Sequence, residues 1–145
     1  MALKNYTTDV PVMRSLQEIQ AILGKAGARS MSVDYDDKGA PVAVSFVLML
    51  DGFPQSYRLP RDSNGALRAL RAEKSKDMRP SYRTEAHAER VSWRILKDWL
   101  DAQLALVQCT QAESAQAFMP YATQDGRTLF EVYREQRQKQ LGSGS

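Results

Sequence analysis

The sequence contains one cysteine, Cys109, and one histidine, His87. A single cysteine excludes an intrachain disulfide and fits a reducing compartment. One Cys and one His are too few for a structural zinc site, and no partner for a Ser-His-Asp or Cys-His arrangement is visible around His87. Long apolar runs are lacking as well. The longest, Val42 to Leu50, is interrupted by Ser45 and is far too short to span a bilayer. Lys4 is not followed by an apolar h-region, so no secretory signal is read. These absences lead to the expectation of a cytoplasmic, non-enzymatic protein with no cofactor, no metal and no membrane partner.

What is present is an ordinary globular composition: 145 residues, 43% hydrophobic and 26% charged. Residues 142–145, Gly-Ser-Gly-Ser, read as a linker or tag scar, and residues 1–141 as a single α+β domain. The expected order is a helix, a three-stranded antiparallel meander, and then about four helices including a long buried central helix at about 85–108.

After an extended lead-in, Ser15-Leu16-Gln17-Glu18 has the form of a capping box, and Leu16, Ile19, Ile22, Leu23 and Ala26 follow at helical spacing to Gly27. The period then becomes two. Met31, Val33 and Tyr35 alternate before the Asp36-Asp37-Lys38-Gly39 turn, and Val42 to Leu50 is apolar on both faces, as in a strand covered on both sides. Asp51-Gly52 signals a hairpin into a third strand that ends at Pro60. From Asp62 or Ser63 a helix has only a narrow stripe of Ala66, Leu67 and Leu70. Residues 75–83 read as a basic loop. Thr84 can cap the long helix, whose C-terminal half is apolar nearly all round and is expected to be buried so. Two more capping boxes, Thr110–Glu113 and Thr128–Glu131, open a short helix and a terminal one, the latter with Leu129, Val132 and Tyr133 inward.

The positive charge is unevenly placed. Residues 58–97 hold eleven Lys and Arg against five Asp and Glu, while the flanking regions are slightly acidic. The candidate surface for nucleic acid or phosphate comprises Arg58, Arg68, Arg71, Lys74, Lys76, Arg79, Tyr82, Arg83, Arg90, Arg94 and Lys97. Such a stripe tracks a phosphate backbone, with Tyr82 offered to an unpaired base, or cradles the phosphates of a small nucleotide. The competing reading is a solvated face, because Glu85, Glu89, Asp98 and Asp101 are interspersed and Arg94–Asp98 or Lys97–Asp101 can pair along the helix.

Other features carry less. His87 has no visible partner and reads as a surface histidine; Cys109 reads as a small buried packing residue. Gly24-Lys25-Ala26-Gly27 lies at a helix C-terminus, the wrong end of the dipole for a phosphate loop. Asp34, Asp36 and Asp37 are either a magnesium site or a strand end and turn. The element order is that of a restriction-type nuclease core, but the second strand has no acid and no lysine. It is also that of a double-stranded-RNA-binding domain, but Asn64-Gly65-Ala66-Leu67 stands where the lysine cluster belongs.

Several segments carry a resemblance. They are Lys4-Asn5-Tyr6-Thr7-Thr8 with Val10-Pro11-Val12, the Tyr57-Arg58-Leu59-Pro60 strand end, and Ala88-Glu89-Arg90-Val91-Ser92-Trp93-Arg94. Lys97-Asp98-Trp99, Ala102-Gln103-Leu104-Ala105-Leu106 and Phe118-Met119-Pro120-Tyr121 complete the set. Together they resemble a family of small phage and prophage early-region proteins, which implies a setting in the host bacterial cytoplasm; no catalytic site is carried over from it. The expectation is a phage accessory protein that binds nucleic acid through residues 58–97. The alternative is a counter-defence protein that sequesters a nucleotide immune signal or inhibits a host defence protein. Trp93 and Trp99, six residues apart on the long helix, leave a homodimer or a host protein open as partners.

Overall fold

Helix α1 (Val12–Lys25) opens the regular structure of the computed structural model, which describes residues 2–109 and 113–143. It begins three residues earlier than the Ser15 box suggests. Pro11, extended at φ −62° and ψ 150°, sits at the N-cap without a side-chain cap bond, so Ser15 lies inside the helix and is buried. The other end follows expectation, with Gly27 left-handed at φ 86°.

Strands β1 (Ser30–Tyr35), β2 (Pro41–Leu50) and β3 (Phe53–Pro60) form an antiparallel meander in that order. Asp51 and Gly52 both have positive φ, 51° and 84°, as a tight hairpin turn requires. In the β1–β2 register Val33 faces Val44 and Met31 faces Phe46, which keeps the apolar set on one face. The other face of β2 is not fully covered: Val47 is half-buried and Met49 exposed.

Helix α2 (Ser63–Ala72), a 3₁₀ turn (Pro80–Arg83) and helix α3 (Glu85–Gln108) follow, and α3 packs against α1 and α2. Short helix α4 (Ser114–Phe118) is capped by Glu113 and Gln116. The Thr110–Glu113 box lies mostly outside the described residues. A small hairpin, β4 (Thr123–Gln124) and β5 (Arg127–Thr128), was not anticipated, although Asp125-Gly126 repeats the Asp-Gly signal with φ of 54° and 79°. Helix α5 (Leu129–Ser143) starts at the expected Thr128–Glu131 box, where the Glu131 amide donates to Thr128 Oγ1 at 3.2 Å. It runs on through Gly142 into the stretch read as a linker.

The residues sort into two compact units, 1–26 with 60–105 and 27–59 with 106–145. In the first, Ala66, Leu67 and Leu70 of α2 pack with Met78, Ala88 and Val91, and Leu3, Tyr6, Tyr82 and Ile95 close over them. In the second, Phe46, Tyr57 and Phe118 form a ring cluster with centroids 5.4–5.7 Å apart. Ala122 bridges Tyr57, and Thr123 Oγ1 donates to the Ser56 carbonyl, which ties the small hairpin to β3.

Three burial expectations are corrected. The buried part of α3 is its N-terminal side, ending at Leu100, and no residue from 101 to 108 is buried. A 24-residue helix is about 36 Å long, and neither α1 nor α2, with 14 and 10 residues or about 21 Å and 15 Å, spans it alone. Cys109 is accordingly exposed at its end. On α5, Tyr133 is 56% exposed rather than inward, and Leu129 and Val132 are only half-buried.

Candidate nucleic-acid interface

The surface starts from a helix cap. The Asp62 carboxylate accepts the Gly65 amide at 3.0 Å, and a Cβ at Gly65 would come within 2.9 Å of that carboxylate. With Ala66, Leu67 and Leu70 inward, Arg68 and Arg71 fall outward. Glu73, extended at φ −71° and ψ 124°, ends the helix, and its carboxylate accepts the Ser75 amide at 3.2 Å. Ser75 Oγ then accepts the Asp77 amide at 3.2 Å, and Met78 turns into the core. Lys74, Lys76 and Arg79 are left exposed around this plug. Arg83 fixes the base of the loop: it donates from Nε to the Leu70 carbonyl at 3.3 Å and from Nη2 to the Glu73 carbonyl at 2.5 Å. Those are carbonyls from the end of α2, which a cation is well placed to cap.

Arg68, Arg71, Lys74, Lys76 and Arg79 are thus gathered on one exposed segment. Their neighbouring acids do little to neutralise them. Arg68 lies 3.9 Å from Asp62, with both side chains more than 60% exposed, a pair of little energetic weight.

The remaining candidates are held by the protein itself. Arg58 belongs to the second unit, where its Nε donates to Asp34 at 3.0 Å. Arg90 donates to His87 Nδ1 at 3.3 Å. Arg94 binds the Glu18 carboxylate and donates to Ser15 Oγ at 3.2 Å, an α1–α3 clasp in place of the expected pairing with Asp98. Lys97 is only 19% exposed and lies 3.6 Å from Asp98, not on Asp101. The Arg94 hydrogen bond, helped by the charges of Arg94, Lys97 and Arg14 and opposed by burial, holds the Glu18 carboxyl below its ordinary 4.5. Burial alone would raise Asp98. The Asn5 hydrogen bond and the charges of Lys97, Lys4 and Arg94 outweigh it and bring the carboxyl below 3.8.

Tyr82 is a packing residue here. It stacks on His87 at 4.8 Å, takes Tyr6 edge-on at 5.9 Å, and has the Arg79 guanidinium 5.8 Å from its centroid. His87 is not on the surface but 2% exposed. Its Nε2 lies 2.6 Å from the Tyr6 carbonyl, which can only accept, so Nε2 carries the proton and Nδ1 accepts from Arg90. The Asp34–Asp37 cluster likewise resolves into structure. Asp36 accepts the Lys38 and Ala40 amides at 2.9 Å, and Asp34 holds Arg58. Among the described residues no three His, Cys, Asp or Glu side chains come together as metal ligands.

Sequence reasoning missed the supports. Met78, a lone apolar residue in a charged loop, was the available signal for the plug. Arg61, outside the candidate set, has a side chain 4% exposed that lies over Trp93 and reaches Glu89 at 3.6 Å. Among the described residues no helix is long and apolar enough to cross a membrane. Comparison of the chain with models of known protein families, curated proteins and solved structures gives no match to any of them.

Proposed function

We propose that this protein is a non-enzymatic accessory protein of phage type that binds nucleic acid through the exposed cations of residues 68–79. One observation carries the reading: five solvent-facing cations stand on one buttressed segment, with only Glu73 and Asp77 as acids inside it. Cations so placed neutralise phosphates and release counterions, which makes binding salt-dependent. The enclosure of His87 by Tyr6, Tyr82 and Arg90 supports a role without chemistry of its own.

The test is fluorescence anisotropy with labelled oligonucleotides across a salt series. The triple variant Arg68→Ala/Arg71→Ala/Lys74→Ala is expected to flatten the log–log salt slope by about 2.7, at roughly 0.9 per lost duplex phosphate contact. An unchanged slope and affinity would overturn the reading.

The second unit favours a second reading, the binding of a host defence protein. Helix α5 buries none of its described side chains and exposes Phe130, Tyr133 and Leu141. Capture of one host protein by the wild type, lost in Phe130→Ser/Tyr133→Ser, would support it. Sequestration of a nucleotide signal is less well supported. The groove of about 420 Å³ beside the lead-in carries Asp9 and Glu89, which repel phosphate.

A further inference from the structure

We infer that the ligand of the 68–79 surface is a duplex gripped by its phosphates, not a single strand whose bases are stacked on the protein. This rests on the reading of that surface as a nucleic-acid interface and adds the ligand's form. Proteins that hold single strands combine a basic track with exposed aromatic faces for successive bases. The first unit offers no such face. Its aromatic residues are Tyr6, Tyr82, Trp93 and Trp99, and none is exposed: Trp93 is fully buried under Arg61 and the other three are half-buried. Tyr82, the one aromatic side chain close to the cations in sequence, is committed to His87, Tyr6 and Arg79.

The groove beside the lead-in is a poor seat for a base as well. The groove lined by Asp9, Pro11, Val12, Ala86, Glu89 and Arg90 sets two carboxylates against one guanidinium, and that guanidinium already donates to His87. Affinity at the 68–79 surface is therefore expected to come from its charge. Duplex DNA presents a phosphate about every 1.7 Å of axis, twice the density of one strand, so five cations gain most on a duplex. Contacts to phosphate carry no sequence information, so binding is sequence-independent.

The experiment compares a 20-base-pair duplex, an unstructured single strand of the same length, and an abasic single strand, all by anisotropy in matched salt. The duplex is expected to bind at least about 10-fold tighter than the single strand, with a log–log salt slope near −4.5 for five contacts. The abasic strand is expected to bind within about twofold of the ordinary single strand, because no base is stacked. Equal or tighter binding of the ordinary single strand, or a loss of more than about 10-fold on removing its bases, would overturn the duplex inference and leave the nucleic-acid reading intact. Failure of all three probes to bind at low salt would overturn both.

Discussion

The first unit puts Arg68, Arg71, Lys74, Lys76 and Arg79 into solvent, whereas the second exposes Tyr35, Met49, Phe53, Leu106, Met119, Phe130, Tyr133 and Leu141. Met13 is the first unit's one large exposed apolar side chain among the described residues. The interiors differ in the opposite sense. Inside the first unit, charged and polar groups clasp helices together: Arg94 on Glu18, Arg83 on α2 carbonyls, His87 on the lead-in. Inside the second, the rings of Phe46, Tyr57 and Phe118 pack on one another, and burial raises the Tyr57 hydroxyl above its ordinary 10.0. A cation's role is therefore set by what its element faces. On α3, Arg94 meets Glu18 and Ser15 of α1 and Arg90 meets His87, and both become structural. On α2, Arg68 makes a weak, exposed pair with Asp62, and both Arg68 and Arg71 remain at the surface.

The contrast breaks hardest where an interior ring is removed. Phe118→Ala takes away a fully buried side chain that touches both Phe46 and Tyr57, and should cost about 3–5 kcal/mol in denaturant unfolding. The surface triple variant Arg68→Ala/Arg71→Ala/Lys74→Ala should stay within about 0.5 kcal/mol of wild type in the same assay while losing nucleic-acid binding. A large stability loss there would show that those cations are structural too.

Next in size is the clasp. Arg94→Ala should cost about 1.5–3 kcal/mol, toward the lower end because the Glu18 side chain is 34% exposed, and should leave nucleic-acid affinity unchanged. Circular dichroism melts and anisotropy on the same preparation check both halves. An affinity loss as large as that of the surface variant would return α3 to the interface.

Part of the basic block takes structural roles that local sequence does not announce. Period and turn chemistry are local, so the meander, the start of α2 near Asp62 and the span of α3 are legible. The partners of Arg94 and His87 are not local. Glu18 lies 76 residues from Arg94, and the Tyr6 carbonyl 81 residues from His87. Only tertiary packing brings them together, so local pattern alone leaves Arg94 solvated and His87 exposed. The apolar end of α3 failed for a related reason: hydrophobic pattern reports what a helix can bury, not whether its neighbours are long enough to cover it.

Acid should probe the first unit selectively. Glu18 and Asp98 are both held below their ordinary values of 4.5 and 3.8, so the unfolded chain binds more protons than the folded one as the pH falls. Their stabilisation is complete above about pH 5 and is lost as pH drops through the folded-state values. Thermal melts between about pH 3 and 7 should show this loss, and it should be shallower in Glu18→Gln/Asp98→Asn. Equal acid slopes in variant and wild type would assign the effect to other carboxylates.

The smallest expected effect concerns α5. Its N-terminus is well anchored, since Thr128 is 3% exposed and exchanges hydrogen bonds with Glu131, and Arg127 pairs with Glu135. Beyond that first turn no described side chain is buried, so Phe130 and Tyr133 gain little from the fold. Phe130→Ser/Tyr133→Ser should therefore change unfolding free energy by no more than about 0.5 kcal/mol, as surface substitutions generally do. Thr128→Ala, which removes the cap itself, should cost about 1 kcal/mol. If the double variant is instead the more damaging of the two, those rings are packed in solution, and the second unit is not the apolar-surfaced counterpart of the first.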